Sequence, residues 1–245
     1  MTDALHRETS AARELARKTM ALIRPVNREL RDLAVASARR GDRRLVGGRE
    51  LVTRWKRLAD SDEYQSIARA AAEKAARAAR LSVQGAGGRK LREALESFPA
   101  AEVAKLQRQF VRQQEILLVR TGRRQHRAMN KLLRETPRVG RDVKQLEAMI
   151  REQLSRGDTR IRRKVRNVAN NEILTLSSRL RHAQYKHVGI RWAKWVTQGD
   201  TRVRSKHRGR NGRLYRIDRG INGERPGEPI GCRCFEEPKL PDDLQ

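Results

Sequence analysis

The sequence predicts a mainly α-helical protein: a long helical N-terminal and middle region followed by a small α+β C-terminal domain with a β-hairpin. Three observations carry this. Apolar residues recur at helical spacing along most of the chain, and glycine and proline punctuation is confined to a few points. After Gly189 the spacing turns to alternation in Ile190-Arg-Trp-Ala-Lys-Trp-Val196, and the pair Asn211-Gly212 ahead of a Leu-Tyr-Arg-Ile segment is a two-residue hairpin signal.

Residues 3–40 read as the first helix. Leu15, Leu22, Val26, Leu30 and Leu33 are spaced by three, four or seven, with a kink or break expected at Pro25 and stops at Gly41 and Gly47-Gly48. A second helix is expected from about Arg49 to Leu81, closing in an alanine-rich run that permits close helix approach. The segment 82–88, Ser-Val-Gln-Gly-Ala-Gly-Gly, is the candidate hinge.

A third helical stretch spans Pro99 to about Glu135. Arg120, Arg124, Arg127, Lys131 and Arg134 fall on one face of it, with no acidic residue between positions 120 and 134. A solvated basic face is one reading, and a contact with phosphates or an acidic protein is the other. Thr136-Pro137 marks a break. Beyond it Val143, Leu146, Ile150 and Leu154 form a stripe ending at Gly157, and Asp158 is placed to cap a further helix carrying Ile161, Val165, Val168 and then Glu172. A carboxylate on that apolar line must reach a cation or solvent, so Glu172 is expected to form a structural salt bridge to an arginine of the tail, with catalytic use as the lesser reading. The chain therefore divides into a helical arm over 1–88, a basic helical segment over 89–136 and an α+β domain over 137–245. The last is expected to fold as a unit by itself.

Charge limits the function classes. The 57 basic residues against 29 acidic ones leave a formal net charge of +28, which pairing within the chain cannot absorb. A polyanion or an acidic protein must neutralise it, and sequence-independent binding of double-stranded DNA is the expectation, because neutralised phosphates release counterions whatever the bases. With 37% hydrophobic, 4% aromatic and 35% charged residues, much of the helical length must stay exposed or find its core on a partner. No apolar run is long enough for a bilayer and the first residues lack the core of a signal peptide, so synthesis in a cytoplasm and no membrane partner are expected.

The last fifty residues hold the chemistry. If 201–210 is extended, Arg202, Arg204, Lys206, Arg208 and Arg210 share one face as a second nucleic-acid-binding candidate, with Val203 and His207 on the other. Trp192 and Trp195 can stack on bases, but a chain this poor in aromatics needs them as core. His207, Cys232 and Cys234 form a soft-ligand set suited to a structural zinc ion, with Asp200 or water as the fourth ligand. A metal-free packing site with reduced thiols and an intermolecular disulfide are the alternatives. Asp200, His207, Glu224 and Glu228 also allow a metal-dependent nuclease to be considered, although their spacing matches no catalytic motif. No P-loop, nucleophile elbow or kinase signature is present, so a non-enzymatic role is expected.

Trp195, Asp200, Arg204, His207, Gly212, Cys232 and Cys234 punctuate the tail in a fixed order, ending in Cys-Arg-Cys. This pattern resembles the head-morphogenesis domain of tailed bacteriophages, the phage Mu protein F-like minor capsid family. The resemblance reaches upstream to about Gly140, where Arg166-Asn-Val-Ala-Asn-Asn-Glu172 stands in place of an Ala-Arg-Thr-Glu-like run and only Glu172 matches it. It implies a minor head protein inside the capsid, made in the host cytoplasm and associated with portal, major capsid or scaffolding protein and packaged DNA. A nucleic-acid-binding protein unrelated to virions is the competing reading.

Overall fold

The computed structural model describes residues 2–135 and 143–244. In order these form α1 (Thr2–Arg39), α2 (Gly48–Asp60), α3 (Asp62–Gln84), α4 (Arg89–Glu96), α5 (Ala100–Glu135), α6 (Val143–His187), β1 (Trp192–Val196), α7 (Ser205–Arg208), β2 (Leu214–Arg216), β3 (Phe235–Lys239) and a 3-10 turn at Asp242–Leu244. The protein is mainly α with a small three-stranded antiparallel sheet at its C-terminal end.

Several boundaries differ from those the sequence suggests, each for a local reason. Pro25 lies within an uninterrupted α1 and is exposed there. The expected second helix is two. Ser61 leaves helical geometry with ψ 143°, its Oγ donates to the Leu58 carbonyl at 2.8 Å, and it accepts the Tyr64 N–H at 3.3 Å. It thus ends α2 and caps α3, whose first turn carries Asp62 and Glu63 where the helix dipole favours them. Conversely, α6 runs through Gly157, where two helices were expected. The break at Thr136-Pro137 lies outside the described residues.

Packing divides the chain into two compact units made of separated segments, whereas the sequence suggests consecutive stretches. One comprises Met1–Glu14, Arg69–Phe110 and Asn167–Gln245, and the other Leu15–Ala68 and Val111–Arg166. The second is all helical. Its core is built around Trp55, Leu51, Ile23, Leu30, Tyr64, Leu118 and Ile150. Gly122 of α5 is required there, because a Cβ at that position would overlap the Trp55 indole.

The first unit gathers α4, the end of α6 and the sheet around Leu91, Leu95, Tyr185, Trp195, Tyr215 and Ile217. Alanines 71, 72, 75, 78 and 79 of α3 are buried, and Ser177 Oγ of α6 reaches the Ala75 carbonyl at 3.4 Å. That distance fits small side chains at the crossing. The strand order is β2-β1-β3, with Ala193 opposite Tyr215 on one side and Pro238 on the other. Alternation along β1 buries Ala193 and Trp195 and leaves Trp192 42% exposed. Trp192 therefore does not serve as core: residues three apart on a strand point to opposite faces.

Candidate functional site

The connection from β1 to β2 builds the site. The strands pair antiparallel, but residues 197–213 intervene instead of a two-residue turn. Asn211 and Gly212 close this loop against the end of β1. Asn211 Oδ1 accepts the Thr197 N–H at 2.9 Å, and the Gly212 N–H, with Gly212 at φ 77°, donates to the Trp195 carbonyl at 2.8 Å. Within the loop 201–210 is not extended. A turn leads into α7, whose His207 and Arg208 N–H groups donate to the Arg204 carbonyl at 2.9 Å. The expected alternation of cations is lost: Arg202, Arg204, Lys206 and Arg208 are exposed, while Arg210 is buried with its guanidinium 4.9 Å over the Trp195 ring.

The helical turn directs His207 inward, where its ring meets the edge of Trp195 at a centroid distance of 5.3 Å. Two residues apart, Cys232 and Cys234 bring both sulfurs to the same ring: His207 Nδ1 lies 3.5 Å from Cys232 Sγ and 3.6 Å from Cys234 Sγ. One ligating atom from each of the three lies within 4.8 Å of the others, and all three residues are buried. The two thiols are hydrogen-bonded to each other. A hydrogen bond from Cys234, helped by backbone N–H groups and His207, pulls the Cys232 thiol down to about 6, and the same pairing holds Cys234 above its ordinary value.

A ring of charge surrounds the cluster. Glu224 accepts from Lys206 Nζ at 2.7 Å and Arg210 Nη1 at 2.5 Å, which lowers its carboxyl to about 2, and its Oε2 is 3.8 Å from His207 Nε2. Asp200 is not a fourth member of the cluster. Both its oxygens accept from Arg233 Nη2 at 2.7 Å, and this hydrogen bonding keeps its carboxyl below the usual range. The residue between the two cysteines thus takes the carboxylate that spacing alone offered as a ligand. Glu228 sits 3.5 Å from Arg225 Nη1, so each of the three carboxylates considered for nuclease chemistry is engaged by a cation.

Two residues of α6 anchor the loop that carries Cys232. Asn171 Oδ1 accepts the Gly231 N–H at 2.8 Å, and Ser178 Oγ donates to the Pro226 carbonyl at 2.6 Å. Asn171 is one of the two asparagines that replace the Arg-Thr pair of the resemblance, and only the fold gives it a role. Its neighbour Glu172 makes no tail salt bridge among the described residues; it is half-buried and accepts from Asn171 Nδ2 at 3.3 Å. Arg181, further along α6, takes the buried ion-pairing role instead. It donates from Nη1 to Glu8 at 2.6 Å and from Nε to Glu236 at 3.1 Å, while His182 Nε2 approaches the other Glu236 oxygen at 3.4 Å. Burial opposes ionisation of Glu236, but His182 and Arg181 outweigh it and hold the carboxyl low. Arg181 and Glu236 also line a cavity of about 480 Å³ beside Tyr185. Nothing in the local sequence signals these partners, which lie 173 and 55 positions from Arg181.

Apart from this site, Arg120, Arg124, Arg127, Lys131 and Arg134 are all exposed on α5. Lys164 of α6 lies close enough to Arg124 that its pKa falls, through partial burial first and then that like charge. No helix among the described residues is long and apolar enough to cross a membrane.

Comparison with known proteins gives one relative and one family match. An uncharacterized protein of Haemophilus influenzae is 28% identical over 79 residues, a stretch amounting to 32% of this chain and 18% of that protein. The chain thus corresponds to less than a fifth of that relative's length. No solved structure matches. Residues 127–236 match the family described as Phage Mu protein F like protein. The match starts earlier than Gly140, at the middle of the basic stripe on α5, and ends two residues after Cys234. The matched segment carries α6, the β1–β2 pair and the whole His207–Cys232–Cys234 cluster, and over that span the chain is similar to phage Mu protein F-like proteins.

Proposed function

We propose that this chain is a minor head protein of a tailed phage, a structural component in head morphogenesis that binds portal, major capsid or scaffolding protein and contacts packaged double-stranded DNA. The family match over residues 127–236 carries the phage-head part of the reading. Its place is then the capsid interior, reached from the host cytoplasm during assembly. The DNA part rests on charge: a net +28 with five exposed cations along α5 favours a polyanion, and such a surface reads phosphate rather than base sequence.

A non-enzymatic role fits the engagement of Asp200, Glu224 and Glu228 with arginine and lysine, since a hydrolytic metal site needs carboxylates free to take a hard cation. Mass spectrometry of purified virions separates the head-protein reading from a DNA-binding protein unrelated to virions: presence in mature particles or procapsids is expected, and absence from both overturns it. The DNA contact is tested by gel shift across a salt series. Replacing Arg120, Arg124 and Arg127 with Glu is expected to weaken binding and to flatten the salt dependence by roughly one unit of log–log slope for each phosphate that is no longer neutralised. Unchanged affinity and slope would move the basic face to an acidic protein partner.

A further inference from the structure

We propose that His207 Nδ1, Cys232 Sγ and Cys234 Sγ bind one Zn²⁺, whose fourth position faces a small cavity lined by arginines. This stands on the geometry of the three side chains and is independent of the phage reading. Two sulfurs and an imidazole nitrogen within 4.8 Å of one another surround a point that one ion can reach from all three. The donor set is soft, which favours zinc over magnesium or calcium, whose sites are built of oxygen. All three side chains are buried, so ligands need not be ordered from solvent before the ion arrives.

The surroundings of the imidazole add a second observation. Its Nε2 is buried without a hydrogen-bond partner, and the nearest carboxylate oxygen, Glu224 Oε2, is 3.8 Å away. Coordination through Nδ1 fixes the proton on Nε2 and turns that atom into a donor aimed at Glu224, the carboxylate–histidine–metal arrangement of many sites. Lys206 and Arg210 hold Glu224 in place for it. A cation in the cluster thus gives the orphaned nitrogen its proper tautomer.

Charge balances as well. Zn²⁺ replaces the thiol protons of Cys232 and Cys234, which leave to solvent, so two thiolates and the neutral imidazole give a neutral centre and the metal stays divalent throughout. The cavity beside the ligands is about 90 Å³ and is also lined by Arg202, Arg204 and Arg233. It has room for a water or a small anion on the remaining position. Asp200 is held by Arg233 and supplies no ligand.

The test uses the full chain. Elemental analysis of protein purified without chelator is expected to give one zinc per chain, and exchange to Co²⁺ to give sulfur-to-cobalt charge-transfer absorption with intense visible bands of tetrahedral type. The Asp200→Asn variant should keep both signals. Glu224→Gln, which leaves the ligands intact, should weaken Zn²⁺ binding by about ten-fold in a chelator competition. Folded wild-type protein, verified by circular dichroism, that shows no stoichiometric zinc and no cobalt–sulfur band overturns the proposal without recourse to a ligand variant. A native mass two hydrogens short of the reduced chain, marking a Cys232–Cys234 disulfide, overturns it too.

Discussion

Arg181 Nη1 and Glu8 Oε1 lie 2.6 Å apart, both buried, so that the sixth helix and the first turns of the first are joined by an ion pair across 173 residues of sequence. Arg181 also holds Glu236 of β3. Replacing it with methionine leaves two buried carboxylates without their guanidinium. The variant is expected to lose about 3–5 kcal/mol of stability, as for other buried pairs broken on one side. Denaturant titration reads this directly. A loss within the range of an exposed salt bridge, under about 1 kcal/mol, would show that water reaches the network.

Gly122 gives a prediction whose sign is informative. In a solvated helix, glycine to alanine would stabilise by up to about 1 kcal/mol. At this position the added methyl meets the fully buried Trp55 ring, so Gly122→Ala is expected to destabilise by about 1–3 kcal/mol through overpacking. Thermal unfolding followed by tryptophan fluorescence measures it. Stabilisation would mean that the indole has other room.

A fragment of residues 138–245, which the sequence marks as a domain, is expected not to fold by itself. The core around Trp195 and Tyr215 includes Val83, Leu91 and Leu95, all fully or nearly fully buried and all outside the fragment. Amide dispersion in a proton–nitrogen spectrum checks this. A well-dispersed spectrum from the fragment would show that α6 and the sheet suffice.

Acid should weaken one ion pair of the helical unit. Arg39 Nε is 2.5 Å from Glu147 Oε1, and this hydrogen bond holds the carboxyl of Glu147 below its ordinary 4.5. A depressed carboxylate contributes stability above its unfolded pKa and loses it as pH falls through the folded value. The stability difference between wild type and Glu147→Gln is therefore expected to be full at neutral pH, to begin falling near 4.5 and to be lost as pH drops through the lower folded-state value. A difference that persists in acid would assign it to packing instead.

The long helices were readable because their apolar residues repeat along one face. Residues 3–40 and Pro99–Glu135 correspond closely to α1 and α5. The break at Ser61 was hidden by an apolar pattern that continues on both sides of it, although a serine followed by Asp62 and Glu63 is a capping signal. The meeting of His207 with Cys232 and Cys234 could be anticipated from residue type, since no other cysteines compete. The capture of Asp200 by Arg233 could not, because it depends on how the segment leading into β3 presents the residue between the cysteines. Glu8 and Glu236 were invisible for a similar reason: each is one carboxylate among many until α6 brings Arg181 between them.

The sheet closes on a strand that discourages further growth. β3 reads Phe-Glu-Glu-Pro-Lys, and Pro238 contributes no N–H to any neighbour. On the other side β2 has only three residues, one of them Arg216 tied to Asp218 at 2.8 Å. Short length, charge and proline are the means by which exposed sheet edges avoid templating another chain. Strand exchange between copies of this chain would therefore have little purchase.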